Sequence, residues 1–181
     1  MFESILGYQV TVGFFAGLLL VAAVSDIISY KIPNKVVLAI ILLYPVLVLV
    51  SPHRVDWISA ILVAAIALAI GFVLFATKKL GAGDAKLMAA TMLWAGPILA
   101  PPALLICALS GGAIALVMLS PARFVIAGAL SSLGRSSASD SLLSKEMPYG
   151  IAIALGGLFV AWALLTADGT LAPFAERPGI N

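Results

Sequence analysis

Two aspartates sit where an apolar chain would not place them without a reason. Asp26 closes a long hydrophobic run in "LLLVAAVSDIISYKIPNK", and Asp84 opens another in "KKLGAGDAKLMAA". Carboxylates beside or within apolar runs are costly and usually face a protein interior or a water-filled cavity. Two of them from separate elements, brought together at about 3 Å, cannot both ionise and so share a proton. One then acts as base on a water molecule while the other protonates or polarises a carbonyl. This is aspartic-protease chemistry, which requires neither metal nor nucleophilic side chain. Other hydrolytic sets are hard to assemble here. His53, the single histidine, falls on the face opposite the two acids, and Cys107, the single cysteine, lies in an apolar run with no partner histidine, so no Ser/His/Asp set, Cys/His pair, zinc cluster or disulfide framework is assembled.

The elements that must carry these acids are membrane helices. Of 181 residues, 63% are hydrophobic and only 10% are charged, with mean hydropathy +1.19. A soluble domain is about half apolar and about a quarter charged, and a chain this short cannot bury so much apolar surface in a core of its own. Six hydrophobic segments can be read, at 8–24, 36–50, 57–76, 85–99, 102–119 and 149–167. Each approaches the ~20 residues that cross the bilayer hydrocarbon, with the second and fourth short. Pro45 interrupts the second, and the "GPILAPP" stretch forms a tight connection between the fourth and fifth. The fold expected is all-α: a polytopic membrane protein of about six transmembrane helices in one domain, 1–181, with no internal repeat. The N-terminus carries Glu3 instead of a basic region, unlike a cleaved signal peptide.

Basic residues orient the bundle. Eight of the ten Lys and Arg residues (Lys31, Lys35, Lys78, Lys79, Lys86, Arg123, Arg135 and Lys145) fall on one side of this topology, and only Arg54 and Arg177 on the other. By the positive-inside rule the lysine-rich side is cytoplasmic and both termini lie outside. The longest connection, 121–147, is then a cytoplasmic loop with an amphipathic first part and a serine-rich second part. Glu3, Asp56, Asp168 and Glu176 lie at external ends, and Asp140 and Glu146 belong to the long loop. Asp26 and Asp84 alone share one side and one depth within the helical layer.

Neighbouring residues support a peptide site. Gly81 and Gly83 admit close approach of another backbone, which suits an extended substrate paired through its main chain. Pro33 and Asn34 restart the second segment sharply and hold Asp26 in place. Simpler roles exist for the same residues. Asp84 would serve as an N-cap of the fourth segment, Asp26 could pair with Lys31, and the lysines, Lys86 included, would anchor topology. Trp57, Trp94 and Trp162 are interfacial or packing residues. "LSGG" at 109–112 marks close helix packing.

These residues carry a family resemblance. "GAGDAK" matches the GxGD motif of intramembrane aspartyl proteases, and "DIISYKIPN" resembles the first-aspartate segment of type IV prepilin peptidases. "MPYGIAI", 147–153, looks like the opening of the last helix in the short members of that family. The chain is most similar to the compact prepilin peptidases of tight-adherence (Flp) pilus systems. The resemblance implies a bacterial inner (cytoplasmic) membrane endopeptidase with Asp26 and Asp84 as the catalytic pair. Gly81, Gly83, Pro148, Tyr149 and Gly150 would position substrate, with Lys86, Pro33 and Asn34 in support. The substrate would be a prepilin or pseudopilin, cut on the cytoplasmic side between a basic leader and a hydrophobic helix. Larger family members carry an extra domain with paired CxxC motifs, associated with methylating the new N-terminus. This chain has one cysteine and no room for that domain, so neither zinc nor any other cofactor is expected. The expected partners are the prepilin and the lipid bilayer, not nucleic acid, with self-association left open. The competing classes are a non-catalytic membrane assembly factor and a small transporter subunit. A carrier usually has repeated halves and acids at the midplane, and an assembly factor would tolerate Asp→Asn.

Overall fold

A computed structural model describes residues 2–51, 54–120 and 149–166, with side chains from residue 5 onward. The expected loop 121–147, Pro148, His53 and the C-terminal acids Asp168 and Glu176 lie outside the described residues. Among those described, five helices and no strand are present: α1 (Phe2–Ser29), α2 (Asn34–Val50), α3 (Trp57–Ala76), α4 (Ala82–Leu119) and α5 (Tyr149–Thr166). Four contain stretches long and apolar enough to cross a membrane: Ile5–Ser29, Trp57–Ala76, Ala82–Leu119 and Tyr149–Thr166. The fifth, α2, is shorter at 17 residues.

Packing follows the logic of helices in lipid, where small residues face inward and large apolar ones face out. On α3 the buried residues are Ala60, Ala67 and Gly71, while Ile58, Leu62, Ile66, Phe72 and Val73 are exposed. Helix α5 is the most enclosed, burying Gly150, Ala152, Gly156, Gly157, Val160 and Leu164. It runs antiparallel to α1. The Tyr8 hydroxyl donates to the Leu164 carbonyl at 3.2 Å near one end, and Asp26 meets Gly150 at the other.

The fourth and fifth segments are two helices joined without an intervening loop, labelled together as α4, of 38 residues. Its backbone leaves helical geometry at one residue, Gly96 (φ 57, ψ −172), a conformation that is essentially reserved for glycine. Pro97 follows as the first residue of the second half, where a missing N–H costs nothing. The chain reverses there. Thr91, before the break, approaches α5 at Gly157, while Ala103 and Cys107, after it, approach the adjacent Gly156. Gly111 lies a turn further back, against Ala152 and Tyr149. The expected "GPILAPP" connection is therefore tighter than its length suggests, because glycine alone makes the turn and the prolines are absorbed into the second half.

The core is centred on Trp94, which is fully buried, whereas Trp57 and Trp162 are exposed. Its ring stacks on Phe15 of α1, with centroids 4.1 Å apart and planes 2° from parallel, and meets the edge of Tyr44 of α2 at 6.0 Å. Its indole N–H donates to the Ile40 carbonyl at 3.1 Å, satisfying the one polar atom that burial would otherwise strand. Three helices thus meet at one aromatic contact.

Candidate active site

Asp26 lies in the last turn of α1, which continues past the expected end of the first segment to Ser29. Tyr30 then adopts the left-handed conformation (φ 49) and donates its N–H to the Asp26 carbonyl at 2.9 Å. Such a residue is a common way to end a helix and turn the chain. The Ser25 hydroxyl donates to the Lys31 carbonyl at 2.8 Å and ties the turn down. Pro33, in extended geometry, occupies the N-cap of α2, which begins at Asn34.

Asp84 is positioned by a different device. Helix α3 ends with Lys78 in the left-handed conformation, its N–H donating to Phe75 and that of Lys79 to Leu74. This is a Schellman closure with lysine in the usual glycine position, and both lysines offset the negative end of the helix. The N-cap of α4 is Gly81, so Asp84 is the third helical residue and not the cap that the sequence suggested. From there its carboxylate reaches back to the Gly81 backbone N–H, the acid half of a capping box.

The two acids line one cavity of about 380 Å³, together with Tyr30, Lys31, Ile32, Asn34, Ala82, Gly81, Gly83 and Lys86. Asp26 is 4% exposed and Asp84 8%, and they are close enough for the charge of one to act on the other. The α1–α2 connection rests on the first turn of α4. A Cβ on Gly83 would lie 3.2 Å from Ile32 Cβ, so glycine permits this approach. The Lys86 ammonium donates to Asn34 Oδ1 at 3.2 Å, linking α4 to α2 across the opening.

Six residues expected at the site from sequence (Asp26, Asp84, Gly81, Gly83, Asn34 and Lys86) line this cavity. Pro33 stands next to it at the helix cap, and Pro148 lies outside the described residues. Tyr149 and Gly150 are not among the lining residues. The Tyr149 ring is turned toward Gly111, and Gly150 stands behind Asp26, its N–H donating to Asp26 Oδ2 at 2.7 Å. Tyr30 and Ile32 were not singled out by sequence reasoning, and Lys31 only as a topology anchor or an ion-pair partner for Asp26. Their signal was the short fixed interval between Asp26 and Pro33, which leaves them no other place. Among the described residues, no three His, Cys, Asp or Glu side chains form a metal-ligating group.

Paired, nearly dry carboxylates at the end of a helical bundle, in a cavity lined by glycines, can activate water against a peptide bond. The family model for the type IV leader peptidase family matches residues 13–116, more than half of the chain and all of the cavity lining. The chain belongs to the type IV leader peptidase family. It is therefore a leader peptidase-like protease built on membrane-type helices. Helix α5, with Gly150, falls beyond the matched region. No curated protein and no solved structure matches the chain.

Proposed function

We propose that this protein is an aspartyl endopeptidase of the bacterial inner membrane that removes the leader of Flp-type prepilins or pseudopilins, with Asp26 and Asp84 as its catalytic pair. The observation that carries this reading is the meeting of two buried carboxylates from α1 and α4 in one cavity. One carboxylate takes a proton from water, and the resulting oxygen attacks the scissile carbonyl carbon. The other, protonated, donates to the carbonyl oxygen. Collapse of the tetrahedral intermediate breaks the C–N bond, the amine leaves with a proton from the dyad, and one water has been consumed. The pair titrates as a unit.

The cavity end also carries Lys31, Lys35, Lys78, Lys79 and Lys86, and the positive-inside rule puts that end in the cytoplasm. On this reading the two halves of α4 are separate crossings, so that the chain crosses the bilayer six times with both termini outside. A substrate leader would then reach the dyad from the cytosol, with the following apolar helix still in the membrane.

The test is co-expression with an Flp-type prepilin, following leader removal by gel shift, for wild type, Asp26→Asn and Asp84→Asn, each checked for membrane insertion. Wild type should cleave and each inserted variant should not. Cleavage at the wild-type rate by either variant would sink the aspartyl mechanism and favour an assembly factor or a transporter subunit.

A further inference from the structure

The two aspartates are held by the same kind of bond from different places. Asp84 accepts the N–H of Gly81, three residues away on its own helix, so that bond forms whenever the first turn of α4 forms. Asp26 accepts the N–H of Gly150, 124 positions away, at 2.7 Å. Gly150 is in the first turn of α5, where backbone N–H groups have no partner within the helix. The approach depends on glycine. A Cβ at position 150 would lie 2.7 Å from Asp26 Oδ2, 2.8 Å from its Cγ and 2.9 Å from its Cβ, too near the rigid base of the side chain to be absorbed by a small rotation.

We infer that Gly150 is a positioning residue of the protease site: its backbone N–H occupies Asp26 Oδ2 and leaves Oδ1 as the oxygen presented to water and substrate. A backbone N–H is a donor only, so the oxygen it meets serves as acceptor and any proton on Asp26 resides on the other. The dyad is therefore completed by tertiary docking of α5, although α5 contributes no side chain to the cavity. The inference rests on the aspartyl reading proposed above. It differs from the expectation that Gly150 contacts the substrate.

The test compares Gly150→Ala with wild type in detergent, using a synthetic prepilin peptide, and measures kcat, KM and the pH–rate profile. The groups around Asp26 that shape that profile are Asp84 and Lys86 from α4, and Tyr30 and Lys31 from the α1–α2 connection. A control, Gly157→Ala, crowds α5 at Leu19 and Thr91, away from the carboxylates. Gly150→Ala should lower kcat by about 100-fold, the scale of a 1 Å misplacement, with KM within about 3-fold and the profile displaced by about half a unit or more. Gly157→Ala should lower the melting temperature but leave the profile in place. If Gly150→Ala does not insert, replacing the Tyr149–Gly150 peptide bond by an ester removes the N–H without adding bulk and should displace the profile in the same way. A raised KM at unchanged kcat would return Gly150 to substrate binding. A loss of rate with an unmoved profile would reduce it to helix packing. Either result overturns the inference while leaving the dyad intact, whereas cleavage by Asp26→Asn would remove the dyad itself.

Discussion

Phe15 and Trp94 stack at 4.1 Å, and this contact sets the two catalytic candidates at one level. Going from Phe15 to Asp26 along α1 covers about 16 Å, and going from Trp94 back to Asp84 along α4 covers about 15 Å, at ~1.5 Å per residue. The helices run in opposite directions from the stack, so both aspartates arrive at the same end of the bundle within about one residue's rise. Depth matching, which the dyad needs, is thus a consequence of where two aromatic rings meet.

Replacing Trp94 should therefore damage both stability and activity. Trp94→Ala empties the centre of the core and strands Phe15 and Tyr44, at a cost of about 3–5 kcal/mol. Trp94→Phe keeps a ring for the stack but loses the indole bond to Ile40, worth about 1 kcal/mol, and part of the packed ring volume. Thermal unfolding in detergent should rank wild type above Trp94→Phe, and Trp94→Phe well above Trp94→Ala. Residual cleavage by the folded fraction should follow the same order. Equal melting temperatures for the two variants would remove the stack from this role.

Gly81→Ala should separate activity from stability. A Cβ there would lie 2.7 Å from Asp84 Oδ2 and 3.5 Å from its Cγ. The backbone at Gly81 (φ −71, ψ 149) is open to alanine, so the backbone itself is not strained. The movable end of Asp84 must yield instead. Cleavage should fall by about 10- to 100-fold, within the range for a small misplacement of a catalytic group, while the melting temperature changes little. A large drop in melting temperature with unchanged specific activity would contradict this account.

At the opposite end of the bundle, Asp56 caps α3, accepting the Ser59 N–H at 3.1 Å. Hydrogen bonding from Ser59 holds its carboxyl below the ordinary value of 3.8. A carboxylate with a depressed value in the folded state stabilises that state at neutral pH. The contribution fades as pH falls through the depressed value and the group protonates. Asp56→Ala should lower the melting temperature at pH 7, and the gap from wild type should narrow on acidification below about pH 4. Asp56→Asn, which also caps well, should lie close to wild type at pH 7. Cleavage by the folded Asp56 variants should be unaffected, because the residue is far from the cavity.

Much of the architecture was legible because lipid imposes simple rules. Apolar length marks helices, so 57–76 coincides with α3, and α5 and α2 differ from expectation by two residues or fewer at either end. The peptide-site candidates in "DIISYKIPN" and "GAGDAK" were also legible, since an acid at the edge of an apolar segment demands an explanation that few structures supply. The length of α1 was harder to read. Ser25, Asp26 and Ser29 interrupt the apolar run near its end, and apolar length does not show that a helix continues through "SDIIS".

What the sequence determined by itself was the class of the protein, the two aspartates and the residues that flank them. These are properties of residue type and order, and bulk solvation decides them. Only the tertiary structure decided that α4 reverses at Gly96 alone, that Trp94 and Phe15 level the aspartates, and that Gly150 stands behind Asp26 and not in the cavity. These depend on contacts between residues as much as 124 positions apart. The Gly150 contact is made by a backbone N–H, which every residue except proline carries, so the glycine marks a close approach without naming the residue that it meets.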